Sequence, residues 1–505
     1  MVSICHLARC RPSEAHVYEQ FKIQRTSRAS QAREVILLTE DASGDRLTGG
    51  LAAAVREARA TGAFQGKSGE ITVWTEGMVL VGLGNDDQSA VERFRSAGAA
   101  LVAKAFGLQL TAIRIHTAHV LRAGEAEAAG QSFGEGLGLA AWRPDAHDGT
   151  ATRREASRRG LRLDPDDAEF REGLHDGLMA AECVNEARRL AASPPNECNP
   201  AWFASEAKRL AKAVGLKVKV VTARQAENLG MGGLVGVGQG SETPSCMVVL
   251  EHDHEDAPED EHLVFVGKTM TYDSGGYSLK VNNSMLGMKY DGCGGYGVLG
   301  AMLLIAQRDL PVRVTALLPC AENMVDSSAY RPDDIITMMN GATVEVTNTD
   351  AEGRLIMADA LTYACNKLEP TAIVDMATLT GGIVVALGSW CAGMFCGDES
   401  LRHRLEISAD ETEEKLWAMP VWDCHRDFMR ARHADLWNSG PKRDGHPIQG
   451  AAFLSHFVPE DIPWAHLDIA GMARTEANAQ FCEGPTGFGV RLLADLAAGY
   501  AELDD

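Results

Sequence analysis

The chain has 505 residues, of which 45% are hydrophobic and 23% charged, and its 70 acidic side chains outnumber 48 basic ones to give a net charge of −22. This composition excludes a disordered or fibrous protein and allows about two to four globular domains. The acidic excess disfavours a nucleic-acid partner, because a negative field repels phosphate backbones.

The charge is unevenly divided along the chain. Residues 1–165 hold 21 basic and 19 acidic side chains, a net charge of +2, whereas the remaining 340 residues carry −24. This change in character predicts a domain boundary near residue 165. The acidic surface after that boundary suits a cationic or metal-bearing partner, although it can equally serve only to keep the protein in solution.

Cysteine usage and hydropathy predict the compartment. Twelve cysteines are scattered from Cys5 to Cys482 without a CxxC pair, so we expect free thiols in a reducing compartment. The N-terminal segment has no apolar run of signal-peptide length, and no run of about 18 uncharged apolar residues occurs anywhere. These features predict a cytoplasmic protein with no membrane partner.

The first part of the chain predicts a small α/β domain. Apolar runs typical of strands occur at 35–38, 71–74 and 79–81, followed by a helical pattern at 90–105. The polar, Arg-rich stretch 146–167 predicts an exposed linker, and 168–192 predicts an amphipathic helix. We therefore assign residues 1–165 to an N-terminal α/β domain and 166–190 to a connecting helix and linker.

The remainder, residues 191–505, predicts a larger α/β domain that would be the catalytic one. Asn199 and Pro200 are typical of an N-cap and a first-turn proline before the helix 204–214. Apolar, β-branched strands are predicted at 217–221, 247–250, 263–266, 312–318, 344–347 and 373–376. Their pattern indicates a mixed central sheet covered by helices on both faces, with ligands beyond the carboxyl ends of the strands.

Glycine-rich turns with acids and cations recur in three places, after strand 263–266, before an apolar helix and after strand 344–347. The charged residues there are Lys268, Asp273, Lys280, Asp291, Asp350, Glu352 and Arg354. Asp350 and Glu352 are two positions apart, so on an extended segment both would point the same way. Converging carboxylates repel one another unless cations neutralise them, and two divalent metal ions sharing a carboxylate would do so. The alternative is a set of salt-bridged strand ends.

These motifs resemble the leucine aminopeptidase family of cytosolic metallo-exopeptidases, which includes peptidase B. The run NTDAEGRL at 348–355 is similar to that family's signature, and the segment 266–280 is similar to its companion motif. The resemblance extends from about residue 187 to 484–491, and before residue 180 it rests on general architecture alone.

The resemblance implies a dinuclear leucyl-type aminopeptidase, a hydrolase of peptide turnover that removes N-terminal residues through a water bridged between two metals. It implies two divalent ions per subunit, Mn or Zn, with Mg or Co as an alternative in one site, and Asp273 and Glu352 shared between them. The implied metal ligands are Lys268, Asp273, Asp291, Asp350 and Glu352. Lys268 would bind as a neutral amine, its pKa depressed by burial beside two cations. Lys280 would polarise the scissile carbonyl and stabilise the gem-diolate, and Arg354 would hold a bicarbonate ion as general base.

The pocket for the substrate's first side chain is implied by the same resemblance. Its lining would be Met288, Thr378, Gly381 and Ala470. Met288 favours an apolar first residue. The chain departs from the family pattern Asp-Met-x-Gly-Ala-Ala with Gly292 and Tyr296, and Tyr277 and Gln449 replace smaller residues. No departure removes a metal ligand, so we expect an active enzyme with altered side-chain preference or metal affinity.

Three other motifs have simpler explanations. The GxGxxG match at 292–297 lacks a preceding apolar strand and a following acid, which disfavours dinucleotide binding. The GxSxG match at 130–134 lacks a preceding apolar strand, so we expect its residues to lie in a helix of the N-terminal domain. His252 and His254 lie in an acidic segment between strands, which predicts a solvated loop.

A non-catalytic assembly or regulatory protein on the same fold is the competing hypothesis. Some family members bind DNA, and the Arg-rich stretch 153–162 is the one candidate surface, although a solvated linker explains it better. The complete ligand set favours the enzyme, with peptides as substrates, and disfavours nucleic acid as a partner. A homohexamer is implied by the resemblance alone.

Overall fold

The structure is a computed structural model of the chain. It describes residues 20–24, 32–42, 47, 49–75, 77–85, 87–107, 112–117, 119–144, 147, 159–164 and 166–501. The chain forms two compact units, of which one contains Glu186–Thr475 and the other Arg11–Asn185. No helix in the described ranges is long and apolar enough to cross a membrane.

The smaller unit contains a six-stranded sheet in the order β1-β6-β5-β2-β4-β3, antiparallel only between β3 and β4. Its elements are β1 (Phe21–Ile23), β2 (Arg33–Thr39), α1 (Gly49–Ala60), β3 (Ile71–Thr75), β4 (Met78–Gly84), α2 (Ala90–Gly107), β5 (Ala112–His116), α3 (Ala126–Ala141) and β6 (Arg159–Asp164). Helix α4 (Ala168–Ala192) begins in this unit and ends in the larger one. The predicted strands and helices agree with β2, β3, β4, α2 and α4. The α/β class predicted for this region is confirmed.

Strand β6 corrects the predicted linker. Residues 159–164 pair in parallel with β5 and β1, and both arginines of the strand are buried, with Arg159 5% and Arg162 9% exposed. The Arg162 Nε donates to Gln24 Oε1 over 3.1 Å. The Arg-rich composition hid a strand because leucines alternate with the arginines at 161–163. Residues 153–158 of the proposed DNA-binding stretch lie outside the described residues.

The GxSxG match at 130–134 lies within helix α3, as predicted. Ser132 donates its hydroxyl to Ala128 O of the same helix over 2.8 Å. A Cβ added to Gly130 would stand 2.1 Å from Phe170 O, so the glycine permits close packing of α3 on α4. The motif therefore has a packing role.

The larger unit is built around a nine-stranded mixed sheet in the order β16-β15-β18-β14-β9-β11-β8-β7, with β10 paired to β11. The strands from residue 217 onward, which include those of two smaller sheets, are β7 (Lys217–Thr222), β8 (Cys246–Asp253), β9 (Leu263–Gly267), β10 (Thr269–Asp273), β11 (Arg313–Asn323), β12 (Ile335–Thr337), β13 (Thr343–Glu345), β14 (Ala372–Ala377), β15 (Ala392–Cys396), β16 (Leu416–Ala418), β17 (Leu436–Trp437), β18 (Trp464–Asp468), β19 (Arg474–Thr475) and β20 (Gly484–Pro485). The predicted mixed central sheet is confirmed.

The helices of this unit begin with α5, whose N-cap Asn199 accepts from Trp202 N, with Pro200 at the first helical position as predicted. They are α5 (Pro200–Ala213), α6 (Ala223–Asn228), α7 (Gly232–Gly238), α8 (Cys293–Gln307), α9 (Gly353–Lys367), α10 (Gly381–Leu387), α11 (Glu399–Thr412), α12 (Asp423–Phe428), α13 (His446–Leu454) and α14 (Val490–Ala501), with 3-10 turns at Met288–Gly292 and Ser455–Phe457.

Helices cover both faces of the central sheet. Val264 and Val266 of β9 belong to the same buried cluster as Leu355 and Ile356 of α9. The alternate β9 residues, such as Phe265, are also buried but lie outside that cluster, and α8 contacts β9. Because successive strand residues point to opposite faces, α9 and α8 pack on different sides of the sheet.

Two predicted strands have different extents. Strand β8 continues to Asp253, so His252 lies in a strand rather than a loop, and its Nε2 pairs with Leu310 O at 2.8 Å. Strand β13 belongs to a separate three-stranded sheet with β12 and β17, not to the central sheet. The segment 346–352 therefore reaches the site from a peripheral sheet and leads directly into α9.

Candidate active site

The first two candidate ligands flank a short strand. Lys268 lies between β9 and β10, and Asp273 is the last residue of β10. The chain then turns through Gly275, whose φ of +86° is a conformation that favours glycine. A Cβ there would also approach Asp350 Oδ1 to 2.9 Å. The glycine-rich turn thus brings β10 and the segment containing Asp350 together.

Lys268 is buried, with 2% of its surface exposed, and its Nζ contacts two carboxylates. The amine lies 3.0 Å from Asp291 Oδ1 and 2.8 Å from Glu352 Oε1, and it donates to Thr378 O over 3.0 Å. The stem of Lys268 packs against Gly353, where a Cβ would stand 2.5 Å from its Cε. Glycine at the first turn of α9 therefore makes room for the lysine.

A second cluster surrounds Lys280. Its Nζ lies 2.7 Å from Asp273 Oδ2 and 2.5 Å from Asp350 Oδ1. One oxygen from each of Asp273, Asp350 and Glu352 lies within 4.8 Å of the others. Asp350 and Glu352 converge as expected, but the segment is a turn leading into α9, where Glu352 has helical φ and ψ, rather than an extended strand.

Hydrogen bonds from neighbouring side chains orient the carboxylates. Asn323 is fully buried and donates from Nδ2 to Asp273 Oδ1 over 2.8 Å. Thr378 donates its hydroxyl to Asp291 Oδ1 over 2.8 Å. The sequence motifs do not include Asn323, yet it ends β11 directly opposite Asp273, so the strand-end criterion could have identified it.

Arg354 is buried on the first turn of α9, with 2% of its surface exposed. Its Nη1 donates to Asn438 O over 2.8 Å, and its Nε has no hydrogen-bond partner among the described residues. Burial lowers the pKa of this guanidinium to about 10, against the opposing effect of Glu352 and Asp468. Asn438 in turn donates to Asn348 O over 2.6 Å, a contact that nothing in the motif indicates.

The carboxylates perturb one another strongly. Burial, then the charges of Glu352 and Asp273, raise the pKa of Asp291 to about 8, although Lys268 opposes this rise. Burial and the same two charges raise the pKa of Asp350 to about 7. Burial alone would lower the pKa of Lys268, but contact with Asp291 and Glu352 outweighs it and holds that pKa above its usual value. The expected depression of the lysine pKa therefore requires the positive charge of bound ions.

The donor set fits divalent cations. Asp291 Oδ2 and Glu352 Oε2 are buried oxygens that have no hydrogen-bond partner in the part of the chain that the structure describes. Buried carboxylate oxygens of this kind are costly unless a cation or donor satisfies them. Within the described ranges, the group able to hold a metal ion is Asp273, Asp350 and Glu352. The His252 and His254 pair is not part of it.

All eleven predicted site residues line one cavity of about 990 Å³. They are Lys268, Asp273, Lys280, Met288, Asp291, Asp350, Glu352, Arg354, Thr378, Gly381 and Ala470. His446, which the motifs do not include, lines the same cavity. Its pKa is lowered to about 4 by burial and by the charges of Arg354 and Arg443.

The departures from the family pattern have structural explanations. A Cβ at Gly292 would stand 2.6 Å from the ring of Tyr296, so the tyrosine fills the space beside the glycine. The Tyr296 hydroxyl pairs with Cys198 Sγ at 3.4 Å. Gln449 accepts from Gly440 N and donates to Lys442 O and Asp444 O, which holds the loop that carries Lys442 at the cavity.

The dinucleotide match at 292–297 is a packing feature. It spans the end of a 3-10 turn and the start of α8 rather than a strand-to-helix turn. A Cβ at Gly294 would stand 2.2 Å from Met376 O of β14. These glycines therefore let α8 approach the central sheet, which agrees with the prediction against dinucleotide binding.

The mixed sheet is covered by helices, and its site combines converging carboxylates with a buried lysine in a deep cavity. These features are typical of a metal-dependent hydrolase with an α/β architecture. Residues 185–494 match the catalytic domain of the cytosol aminopeptidase family, and residues 37–147 match the N-terminal domain of the same family. The chain belongs to the cytosol aminopeptidase family and is a metal-dependent aminopeptidase, as its motifs predict.

Individual relatives, compared by sequence and by structure, agree with this family assignment. A probable cytosol aminopeptidase of Nitratidesulfovibrio vulgaris is 38% identical over 83% of this chain and 85% of its own length. The bottromycin maturation enzyme BotP in complex with Mn is 31% identical, with a TM-score of 0.83 over 94% of this chain and 100% of its own. A mutant of tomato leucine aminopeptidase is 30% identical, with a TM-score of 0.83 over 97% of this chain and 98% of its own.

Proposed function

We propose that the enzyme uses two divalent cations per subunit to remove the N-terminal residue of peptides. Lys268, Asp273, Asp291, Asp350 and Glu352 would hold them, with Asp273 and Glu352 shared. The observation that carries this proposal is the pair of buried, unpartnered oxygens, Asp291 Oδ2 and Glu352 Oε2, among converging carboxylates. When bound, such ions supply a low-pKa water and Lewis-acid polarisation of the carbonyl.

The protein's own residues have distinct parts in the proposed reaction. Lys280 polarises the scissile carbonyl and neutralises the charge that develops on its oxygen. Burial opposes the ammonium form, but Asp273 and the other carboxylates outweigh it and hold the pKa of Lys280 above its usual value. Arg354 would hold a bicarbonate ion, which would supply a general base for the attacking water. Its unpartnered Nε leaves a donor for that anion.

The first residue of the peptide would lie against Met288, Thr378, Gly381 and Ala470. The Met288 side chain gives this wall an apolar character that suits residues such as leucine. Manganese or zinc would occupy the sites, with magnesium or cobalt as an alternative in one of them. The structure of BotP in complex with Mn supports manganese.

We further propose residues 1–165 as an N-terminal domain, 166–190 as a connector and 191–505 as the catalytic domain. The assembly would be a homohexamer in the cytoplasm, a location supported by relatives named cytosol aminopeptidase. It would bind no nucleic acid. Size exclusion with light scattering tests the assembly, and a gel shift at two salt concentrations tests nucleic-acid binding.

The central experiment removes metal from the purified enzyme, restores Mn or Zn, and follows release of amino acid from leucyl-anilide and short peptides. Asp350→Ala and Glu352→Ala should abolish activity, whereas Lys280→Ala and Arg354→Ala should lower turnover more than metal content. Asp427→Ala is the control, because that acid is exposed and pairs with Arg430. Stoichiometric loss of metal in Arg354→Ala would contradict its proposed role.

A further inference from the structure

Two thiols lie opposite each other in the central sheet. Strands β8 and β11 run antiparallel, and Cys246, the first residue of β8, is directly opposite Cys320 of β11. Directly opposed residues of an antiparallel pair project from the same face of the sheet. Both cysteines are free and buried, with 7% of Cys246 and 0% of Cys320 exposed. The strand register therefore places two free thiols side by side.

The spacing of opposed strand residues suits a disulfide bridge. Their Cα atoms are about 4.5–5.5 Å apart in antiparallel sheets, which falls within the range of about 4.4–6.8 Å found in disulfides. Their Cβ atoms are about 4.5–5.5 Å apart, whereas a bridge brings them to about 3.5–4.5 Å. A bridge between Cys246 and Cys320 therefore requires the two strands to approach each other by about 1 Å.

The two thiols differ in reactivity. The hydrogen bond from Cys320, helped by the charge of Lys208, outweighs burial and holds the pKa of Cys246 below its usual value. Burial and the same hydrogen bond raise the pKa of the Cys320 thiol. Because the thiolate is the nucleophile, Cys246 reacts first. Cys246 also retains some exposure to solvent, so an oxidant of about the size of water can reach it.

A third buried thiol in this region has a different partner. Cys198 Sγ pairs with the Tyr296 hydroxyl at 3.4 Å, and burial raises the pKa of this thiol to about 11. Cys198 precedes α5 and has no place in the strand register opposite Cys320. Register and reactivity therefore both favour Cys246 as the partner of Cys320, and Cys198 serves as the natural comparison.

Cys320 is connected to the proposed metal site through β11. On the side away from β8, Cys320 pairs with Thr269, the residue that follows the proposed ligand Lys268. At the end of β11, Asn323 donates to Asp273 Oδ1 over 2.8 Å. Drawing β11 toward β8 pulls it away from β10, so a bridge at Cys320 would disturb the support of two proposed ligands.

We propose that Cys246 and Cys320 form a modification site, at which hydrogen peroxide produces a reversible disulfide that weakens metal binding. The Cys246 thiolate attacks one peroxide oxygen, the O–O bond breaks, and the departing hydroxide takes up the proton that Cys246 released. The Cys320 sulfur then attacks the sulfur of the resulting sulfenic acid, the S–O bond breaks, and the departing hydroxide takes the Cys320 proton.

The two thiols together lose two electrons and two protons, and one peroxide becomes two waters. Disulfides in reducing compartments are usually transient and redox-sensing, which agrees with a reversible bridge. The effect on metal binding rests on the proposed function, whereas formation of the bridge does not.

The test treats the zinc-loaded enzyme with a limiting amount of hydrogen peroxide and digests it without a reductant. Zinc is chosen because it has no redox chemistry of its own. Mass spectrometry should find a cross-linked peptide that contains Cys246 and Cys320 and is lighter by two hydrogens than the two reduced peptides together. Metal affinity, measured by competition with a chelator, should fall about ten-fold or more, as when the support of a ligand is lost. Dithiothreitol should restore it.

Cys246→Ser keeps the shape of the side chain and a hydrogen-bonding group but cannot form the bridge. It should bind metal as the untreated wild type does and keep that affinity after peroxide. Cys198→Ala is the matched control, because it removes a different buried thiol of the same region and should still form the bridge. Loss of the bridge in Cys198→Ala would overturn the assignment of the pair.

The wild-type enzyme decides the proposal even if a variant fails to fold. Absence of the cross-linked peptide after peroxide would overturn the modification site, and a bridge that leaves metal affinity unchanged would overturn its effect on the metal. Failure of the untreated enzyme to bind zinc would instead contradict the proposed function, and peptide mapping would still show whether the bridge forms.

Discussion

The hydroxyl of Thr378 donates to Asp291 Oδ1 over 2.8 Å, while the backbone carbonyl of Thr378 accepts from Lys268 Nζ over 3.0 Å. One residue therefore orients two proposed metal ligands as well as lining the substrate cavity. Such supporting hydrogen bonds fix the direction in which a ligand presents its electron pairs. The sequence comparison implies only the lining role, so this second function of Thr378 comes from the tertiary structure.

Thr378→Val should weaken metal binding by about ten-fold or more, because it keeps the shape of the side chain but removes the hydroxyl that orients Asp291. Thr378→Ser retains that hydroxyl and should bind metal nearly as well as the wild type. Competition with a chelator measures both affinities. Equal affinity in the valine and serine variants would show that the hydrogen bond does not support the site.

Gly353→Ala should displace Lys268, since the new Cβ would stand 2.5 Å from the buried lysine Cε. We expect a loss of about 1–3 kcal/mol in the free energy of unfolding, as for other overpacked interiors, together with weaker metal binding. Gly397→Ala is the control, because no atom of the described residues lies within 4 Å of a Cβ at that position. Denaturant unfolding and chelator competition distinguish the variants, and equal behaviour would contradict the packing argument.

The small residue Gly292 and the large residue Tyr296 should compensate for each other in volume, so that substitutions at the two positions have coupled effects on stability. Tyr296 is 1% exposed and packs on Phe203 with ring centroids 5.5 Å apart, so Tyr296→Ala should cost about 3–5 kcal/mol of unfolding free energy. Gly292→Met alone should also destabilise the fold, because its side chain would meet the tyrosine ring.

The double variant Gly292→Met/Tyr296→Ala tests this coupling. It should be more stable than the sum of the single losses predicts, by about 1 kcal/mol or more, because the methionine fills the space that the tyrosine leaves. Denaturant unfolding of all four proteins completes the cycle. Simple additivity would mean that the two departures from the family pattern are independent.

A buried ion pair should make stability depend on pH. His466 Nδ1 lies 2.5 Å from Asp375 Oδ1, and both side chains are fully buried. Burial lowers the pKa of His466, but the Asp375 charge and hydrogen bond outweigh it and raise that pKa above its usual 6.5. The stabilisation is therefore complete below about pH 6.5 and is lost as pH rises through the pKa of the folded state.

Asp375→Asn should remove this contribution. The difference in unfolding free energy between wild type and variant should be largest at pH 5–6 and should shrink as pH rises, because the imidazole of the wild type then becomes neutral. Denaturant titrations at a fixed metal concentration measure it, and other titrating groups cancel in the comparison. A difference that stays constant from pH 5 to pH 9 would contradict the prediction.

The sequence alone determined features that depend on local pattern. The strands β2, β9 and β14, the N-cap at Asn199 and the amphipathic α4 follow from periodicity and turn chemistry that are complete within a short window. The candidate ligands could be named because they lie in sequence motifs that resemble those of the leucine aminopeptidase family, and such motifs are read without coordinates. Even the charge division, +2 against −24, is a sum over residues and needs no coordinates.

Only the tertiary structure decided which distant residues meet. Asn323 reaches Asp273 because β11 and β10 pair, and Arg474 approaches Gly287 across almost two hundred positions. The Arg-rich sequence of β6 predicts a linker because the strands that bury its arginines, β1 and β5, are far away in sequence. Local sequence propensity does not predict contacts between residues that are distant in sequence, because burial and hydrogen-bond partners are established only when the sheet assembles.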